Sequence, residues 1–312
     1  MEWMQKQSTG AAELAVETVR EWTLWLTAVA RWLLPHCARR EAQRRAGAYS
    51  RGLLSPAERK NGWQVADVNG DATPYGVQPL LGRAQRNADA VRDAVRSDLL
   101  AHLADPQAVL VIDETGFLKK GTQSAGVAGQ YSGPAGRIAN CQIGVFLAYA
   151  SARGHALLDR DLYLPQEWTN APERCQRARI PAHRPFATKP QLARQMLERA
   201  FAADVPAAWV TGDSVYGDDR RLRVWWESRD QAYGLAVSGK EYVWLGWQQR
   251  QVKTVLAALP AEGRTRLSAG AGAKGPRWDD WRWLPLADPM PPDGRRWLLV
   301  RRRLGDPTDL TA

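Results

Sequence analysis

Apolar residues recur at helical spacing through the first third of the chain. Between residues 15 and 33 they stand three or four positions apart, which predicts an amphipathic helix. Ser55-Pro56-Ala57-Glu58 predicts a helix start with a serine cap, a proline in the first turn and a capping box. Thr73-Pro74 repeats the cap-and-proline signal, and the spacing over 91–99 indicates another helix. Residues 1–105 are therefore predicted to be a helical domain.

Strand-like runs replace the helical pattern after residue 105. They predict strands over 109–113, 142–150, 154–164 and 208–212, with a less regular run at 125–131. Thr188-Lys189-Pro190 predicts a helix between the third and fourth of the regular runs. The order strand, strand, strand, helix, strand is that of a ribonuclease-H-like core. In that fold the first and last of these strands lie side by side in a mixed sheet, so the predicted class is α/β.

The last part of the chain is rich in tryptophan, glycine and proline. A helix over 218–229 and a strand over 232–237 complete the predicted core, which spans residues 106–240. Turn residues and alternating apolar positions then predict short strands within 277–286, and a last strand over 297–303. Residues 241–312 are read as a β-rich insertion that follows the core.

Two of the predicted strands end in an aspartate that a glycine turn follows at once. The run 109–112 leads to Asp113, with Gly116 shortly after, and the run 209–212 leads to Asp213, with Gly217 shortly after. An acid where a buried strand ends lies at the carboxyl edge of a sheet, where open α/β sheets build their sites. Two such acids on neighbouring strands would repel each other unless they shared a cation. Magnesium prefers oxygen ligands, so the pair predicts a metal site for phosphate chemistry.

The charge of the chain indicates a polyanionic partner. The formal net charge is +10, the sequence pI is about 9.8, and arginine dominates the basic residues. The densest basic region precedes the core and suggests contact with the DNA backbone, although a charged helix face is an equal alternative. Its members are Arg39, Arg40, Arg44, Arg45, Arg51, Arg59 and Lys60.

Further candidates for phosphate contact flank the predicted acids. Lys119, Lys120 and Arg137 stand near the first acid, and Lys189 stands before a helix start. For these residues a solvated turn or a helix flank is the structural alternative. The fifteen tryptophans, like Tyr131 and Tyr216, are read first as packing residues and second as stacking partners for bases.

Other classes of protein fit the sequence less well. Three separated cysteines and four scattered histidines form neither a disulfide framework nor a zinc motif, and reduced thiols suit a cytoplasmic protein. Charges interrupt the apolar stretch 11–34, so a membrane span is not expected. Gly212-Asp213 with Asp218 resembles the metal loop of haloacid-dehalogenase-like phosphatases. Those enzymes carry a second aspartate two residues after the nucleophile, whereas position 115 is threonine.

Long blocks of the chain resemble bacterial insertion-sequence transposases with an aspartate–aspartate–glutamate active site, of the insertion-sequence 701 type. The resemblance covers roughly residues 40–310. The blocks that carry it are Arg59-Lys60-Asn61-Gly62-Trp63, the run 113–121 that begins Asp113-Glu114-Thr115-Gly116, Gln130-Tyr131-Ser132-Gly133, the run 158–165, Thr188-Lys189-Pro190 and Gly212-Asp213-Ser214-Val215-Tyr216-Gly217.

The resemblance implies that Asp113 and Asp213 are the first two catalytic acids and that both ligate Mg²⁺ or Mn²⁺. Members of the family cut at transposon ends and join the freed 3′-hydroxyl to target DNA, so double-stranded DNA is the implied partner. Transposases often act as dimers on paired ends, which makes a homodimer a further expectation. The segment after residue 242 then corresponds to the β-rich insertion of such transposases.

The sequence departs from the family at the third acid. The family places a glutamate on a helix beyond the insertion, and the chain is expected to stop before it. Glu227 is the nearest substitute, and we expect it not to serve. The expectation is therefore a transposase that is catalytically incomplete in this chain. The alternative is a non-catalytic DNA-binding remnant that regulates transposition.

Overall fold

The computed structural model describes most of the chain from residue 20 onward. The described residues are 20, 22, 24–29, 34–37, 39–82, 87–182, 184–260, 262–272, 275–286, 296–304 and 310–311. They divide into two compact units, Met1–Ser97 and Asp98–Ala312. Among these residues, no helix is both long enough and apolar enough to cross a bilayer.

The first unit is helical in its described part, as predicted. Its helices are α1 (Arg40–Leu54), α2 (Gly62–Val68) and α3 (Val77–Gly82), and α4 (Ala88–Leu103) begins in it. Single turns of 3₁₀ helix occupy Leu34–His36 and Pro74–Gly76. Val65, Ala66 and Val77 form a small buried core with Tyr49 against them.

One predicted helix start is wrong, and another lies outside the described residues. The 55–58 segment is not helical; α2 begins at Gly62, where the Asn61 side chain accepts hydrogen bonds from the backbone N–H groups of Trp63 and Gln64. An asparagine that satisfies two free N–H groups is a strong cap, whereas Ser55 is the C-cap of α1 and its hydroxyl donates to the Gly52 carbonyl oxygen. Of the first predicted helix, positions 24–29 are helical, whereas 15–19 and 30–33 lie outside the described residues.

The second unit is built on a six-stranded mixed sheet. Its strands are β1 (Val109–Leu118), β2 (Ala128–Ser132), β3 (Arg137–Ser151), β4 (Gly154–Tyr163), β5 (Trp209–Gly212) and β6 (Ala232–Leu235). The core order is β4-β3-β1-β5-β6, with β2 also paired to β3. β3 is antiparallel to β1 and β4, whereas β5 is parallel to β1 and β6. This arrangement confirms the predicted ribonuclease-H-like mixed sheet.

Five α-helices connect strands of this sheet in the described part of the sequence, three between β4 and β5 and two between β5 and β6. They are α5 (Gln166–Thr169), α6 (Pro172–Arg177), α7 (Lys189–Phe201), α8 (Ser214–Gly217) and α9 (Arg220–Glu227). The predicted start of α7 is confirmed: Thr188 and Gln191 form a reciprocal capping box, with Pro190 in the first turn.

The core of the second unit lies between one face of the sheet and helices α7 and α9. Leu110 and Ile112 of β1 are buried there with Met196 and Leu197 of α7 and Trp226 of α9. Removing such large apolar side chains from water is the main driving force for this layer, at about 25 cal/mol for each Å² buried. The same layer holds β1, β5 and the segment after β5 in fixed relation to one another.

A second sheet follows the core. A two-stranded ribbon of β7 (Tyr242–Leu245) and β8 (Gln248–Gln251) leads into α10 (Val252–Ala258). A four-stranded antiparallel sheet then comprises β9 (Thr265–Gly272), β10 (Gly275–Leu286), β11 (Arg296–Arg303) and β12 (Leu310–Thr311). The strands predicted within 277–286 are thus one long strand, because Asp279–Leu286 pairs continuously with Arg296–Arg303.

One buried carboxylate anchors this second sheet. Asp280 accepts hydrogen bonds from Arg302 at 2.5 Å and from Arg266 at 3.1 Å. These two guanidinium groups hold the pKa of the Asp280 carboxyl below its usual range.

The tryptophans divide between packing and exposure: Trp168 and Trp226 are fully buried, whereas Trp247, Trp283 and Trp297 are more than half exposed. The packing prediction therefore fails for these three, and also for Trp22, Trp25 and Trp63, which are more than half exposed as well.

Candidate active site

The two predicted acids follow the last paired residues of adjacent strands. The parallel pairing of β1 with β5 runs from Val109 and Trp209 to Ile112 and Gly212. Asp113 and Asp213 are the next residue on each strand. The structure therefore brings the two acids to the same place, at the carboxyl edge of the β1–β5 pair.

Asp113 lies in the middle of β1, not at its end as predicted. Beyond Ile112 the strand loses its parallel partner but stays paired with β3 as far as Leu118. Gly116 is part of this strand and not of a turn. A Cβ at this position would lie 2.7 Å from Oγ of Ser132, so glycine is needed for the close approach of β2.

Asp213 begins the short helix α8 after β5. Its Oδ1 accepts a hydrogen bond from the backbone N–H of Val215 at 2.9 Å, which makes it an N-cap. Gly217 ends the same turn beside the carbonyl group of Ala236, and a Cβ at Gly217 would lie only 1.8 Å from that oxygen. The Gly-Asp-Ser-Val-Tyr-Gly segment thus fits a tight passage between β5 and the end of β6.

Glu114 is a residue of this region to which the sequence analysis gave no role. Successive side chains of a strand point to opposite faces, so Glu114 is on the face of buried Ile112 and opposite to exposed Asp113. Its Oε1 accepts from Lys189 Nζ at 2.6 Å, and its Oε2 accepts from the Tyr216 hydroxyl at 2.7 Å. A carboxylate next to an expected catalytic acid was the signal that could have marked it.

The neighbouring acids make it less favourable for Asp213 to carry a negative charge. Partial burial raises the pKa of the Asp213 carboxyl, and the negative charges of Glu114 and Asp113 raise it further, while the Val215 N–H and Lys189 act in the opposite direction. Burial and the hydrogen bond to Glu114 likewise raise the pKa of the Tyr216 hydroxyl far above its usual range, so this group stays a donor. Negative charge at this edge would be relieved by a cation.

The donor set fits a hard divalent cation. Asp113 Oδ1 accepts from the backbone N–H of Glu114 at 2.7 Å, and Asp213 Oδ1 is engaged in the cap, so both carboxylates are oriented. Both residues are exposed. Among the described residues there is no group of three or more His, Cys, Asp and Glu side chains placed to hold a metal. Two carboxylates would suffice for Mg²⁺, which usually keeps waters and takes substrate phosphate oxygens as its remaining ligands.

The predicted basic residues of the first unit divide into two groups. Arg45 is engaged within the protein, because its guanidinium Nη1 lies 2.7 Å from both carboxylate oxygens of Asp71. Arg39, Arg40, Arg44, Arg51, Arg59 and Lys60 are exposed. Within α1, Arg40, Arg44 and Arg51 lie within about 40° of one another around the helix axis. The Lys60 ammonium also donates to the Ser55 carbonyl oxygen.

The basic residues near the first acid lie on the extension of β1 and on the start of β3. The side-chain amide of Asn140 donates to the carbonyl oxygens of Lys119 and Gly121, which fixes the turn that carries Lys119 and Lys120. Lys120 and Arg137 are exposed, and Lys119 is half-buried. Lys189 is engaged within the protein and not directed to a DNA phosphate: its ammonium group donates to Glu114 and lies 6.0 Å from the centre of the Tyr163 ring.

Three further residues complete the comparison with the sequence. Glu227 is bonded to the Tyr233 hydroxyl at 2.5 Å and to Arg296 at 2.7 Å. It lies at the end of α9, whereas Asp213 precedes the start of that helix. Tyr216 is fully buried, as the packing interpretation predicted, whereas Tyr131 is 63% exposed, and the packing interpretation is wrong for it.

A mixed sheet of order β4-β3-β1-β5-β6, with an acid directly after the last residues that pair β1 with β5, is a ribonuclease-H-like architecture. The model of the DDE superfamily endonuclease family matches residues 33–280, and the chain belongs to this family. It is similar to a probable transposase for insertion sequence element IS701 from Microchaete diplosiphon. The two are 24% identical over 262 residues, covering 80% of this chain. The matched region is 65% of the length of that relative.

Proposed function

We propose that the chain carries the DNA cleavage and strand-transfer site of an insertion-sequence transposase. The observation that supports the proposal is the register of β1 and β5, in which Asp113 and Asp213 each directly follow the last paired residue, in a chain of the DDE superfamily endonuclease family. The similarity to a probable transposase of an insertion sequence supports DNA ends as the substrate. A phosphodiester of double-stranded DNA would be the reacting group.

Asp113 and Asp213 would hold Mg²⁺ or Mn²⁺. When bound, the ion would supply charge at the scissile phosphate and an oriented oxygen nucleophile, either water or a 3′-hydroxyl. The part of the protein is to keep both carboxylates turned toward one place. The N–H groups of Glu114 and Val215 would contribute to this, since each donates to Oδ1 of one of the acids and so orients that carboxylate.

The DNA backbone would be held by the exposed basic residues. Lys119, Lys120 and Arg137 lie beyond the first acid and would contact the phosphates next to the scissile one. The exposed arginines of α1 would contact a separate stretch of duplex. We leave Arg45 and Lys189 out of this set because both are bonded to carboxylates within the protein. The proposal extends to a homodimer, since two transposon ends must be held together, and to the bacterial cytoplasm, where that DNA lies.

Metal binding tests the proposal most directly. Calorimetry with MnCl₂ should detect at least one ion bound by the wild-type chain and none at this site in D113N or D213N. The matched control is D219N: Asp219 is also an N-cap, for α9, and asparagine caps as well as aspartate. This variant should bind Mn²⁺ like the wild type.

DNA cleavage is the second measurement. The wild-type chain with Mn²⁺ should nick supercoiled plasmid, D219N should do the same, and D113N and D213N should not. Unchanged Mn²⁺ binding in both of the latter variants would contradict the proposal. Wild-type binding of Mn²⁺ and DNA without any nicking would favour the regulatory alternative.

A further inference from the structure

Glu114 connects three elements that meet at the two acids. It belongs to β1, directly after Asp113. One of its oxygens is bonded to Lys189, the first residue of α7, and the other to Tyr216 in the turn that Asp213 begins. A single carboxylate therefore ties the strand of the first acid to the turn of the second.

These contacts are shielded from solvent. Tyr216 is fully buried within the main core, and the side chains of Glu114 and Lys189 are only 17% and 21% exposed. Hydrogen bonds that involve a charged group are stronger than neutral ones, and water competes with them less inside a protein. The three side chains thus hold a defined arrangement, unlike an ion pair on the surface.

Tyr216 transmits this arrangement to Asp213. The backbone N–H groups of Tyr216 and Gly217 both donate to the carbonyl oxygen of Asp213, at 3.1 and 2.9 Å. The turn is therefore a closed unit, and fixing the Tyr216 side chain fixes the backbone of the second acid. Gly217, at the other end of the turn, is pressed against Ala236 and allows little adjustment.

We infer that Glu114, held by Lys189 and Tyr216, is a positioning residue that sets the placement of Asp213 relative to Asp113. The inference rests on the proposed function, in which those two acids bind the metal ion. In this inference Glu114 acts through Asp213 and is not a ligand, because its side chain lies on the sheet face opposite to that of Asp113 and both of its oxygens accept from donors of the protein. Residues that orient metal ligands in this way typically contribute 10- to 100-fold to metal affinity.

The chain contains a matched control for this arrangement. The Tyr233 hydroxyl donates to Glu227, which Arg296 holds from the other side, so the pattern of tyrosine, glutamate and base is repeated. Burial and the bond to Glu227 also raise the pKa of the Tyr233 hydroxyl, as for Tyr216. Tyr233 is paired with Val210 in the β5–β6 register, and Val210 lies three residues before Asp213. Tyr233 itself is a strand residue and is not part of the turn that carries Asp213.

The experiment compares Y216F with Y233F in the full chain. Each variant loses one hydroxyl and one bond to a glutamate, so both should lose similar thermal stability. The Mn²⁺ affinity from calorimetry should fall about 10-fold or more in Y216F and stay within a factor of two in Y233F. The electron paramagnetic resonance spectrum of bound Mn²⁺ should broaden in Y216F alone, because its ligand geometry becomes less uniform.

A second pair of variants guards against a folding effect. K189Q and E114Q remove the charges of the bridge but keep its approximate shape, and E114Q should reproduce the change in Mn²⁺ affinity. Equal Mn²⁺ affinities and spectra for Y216F, Y233F and the wild type would overturn the inference. If D213N also bound Mn²⁺ normally, the proposed function itself would fail; if only D213N lost binding, the metal site would stand without the positioning role.

Discussion

The sharpest structural prediction concerns Gly217, which ends the turn after Asp213. In G217A the added Cβ would lie 1.8 Å from the Ala236 carbonyl oxygen, whereas real Cβ contacts are essentially never under 3.0 Å. The difference between these two values is 1.2 Å, and backbone must move by about that amount. The nearby atoms at 2.9 Å and 3.2 Å belong to Ala236 and Leu235, so no flexible side chain can absorb the shift.

The consequence should appear in stability and in function. Overpacking of this kind costs about 1–3 kcal/mol, and more where backbone is involved. For a unit of this size each 1 kcal/mol lowers the melting temperature by roughly 2–4 °C, so we expect a decrease of about 2–12 °C. A catalytic group displaced by about 1 Å can cost on the order of 100-fold in rate, which DNA nicking with Mn²⁺ would reveal.

The control is G234A on the neighbouring strand β6. A Cβ at Gly234 has no atom within 4 Å, so this variant should unfold and nick DNA like the wild type. Differential scanning calorimetry and a plasmid-nicking assay on both variants complete the test. A G217A chain with the stability and nicking rate of G234A would refute the argument that the turn is confined by Ala236.

Two further predictions concern DNA binding and pH. Fluorescence anisotropy gives the slope of log affinity for duplex DNA against log salt concentration, and in R40Q/R44Q/R51Q this slope should weaken by about 0.9 for each DNA phosphate that the variant no longer neutralises. The control R45Q should keep the wild-type slope. An unchanged slope in the triple variant would exclude α1 as a DNA-binding element. Because the folded protein raises the pKa of the Asp213 carboxyl, its contribution to stability is present below the ordinary aspartate pKa of about 4 and is lost as pH rises. Without metal, D213N should therefore melt at a higher temperature than the wild type at pH 7, with the difference shrinking toward pH 4; a lower melting temperature at pH 7 would contradict this reasoning.

The mixed sheet was predictable because its signals are local and strong. Continuous apolar runs marked β1, β3 and β5, and the Thr188 capping signal marked the start of α7. The position of Asp113 within its strand was not predictable in the same way. The apolar run stops at Ile112, but β1 continues to Leu118 because β3 supplies antiparallel partners. The local sequence pattern of 113–118 does not indicate this pairing.

The candidate site was predictable in part. Asp113 and Asp213 stood out because each follows an apolar run, and that feature is visible in one dimension. The contact between Glu114 and Tyr216 was not predictable, because these two residues are 102 positions apart in the sequence. Lys189 looked like a phosphate ligand because a basic residue at a helix start is locally consistent with that role. Its actual partner is a carboxylate brought from another strand.

The backbones of the two acids are held by different kinds of contact. Asp113 sits within a ladder that continues on both sides of it along β3, so its main chain is clamped. Asp213 is the N-cap of the four-residue helix α8, which is held by the Tyr216 hydroxyl on Glu114 and by the close contact of Gly217 with Ala236. The position of Asp113 therefore depends on strand pairing, whereas that of Asp213 depends on contacts within and around residues 213–217, so substitutions in this turn should change the separation of the two carboxylates more than substitutions on the exposed face of β1.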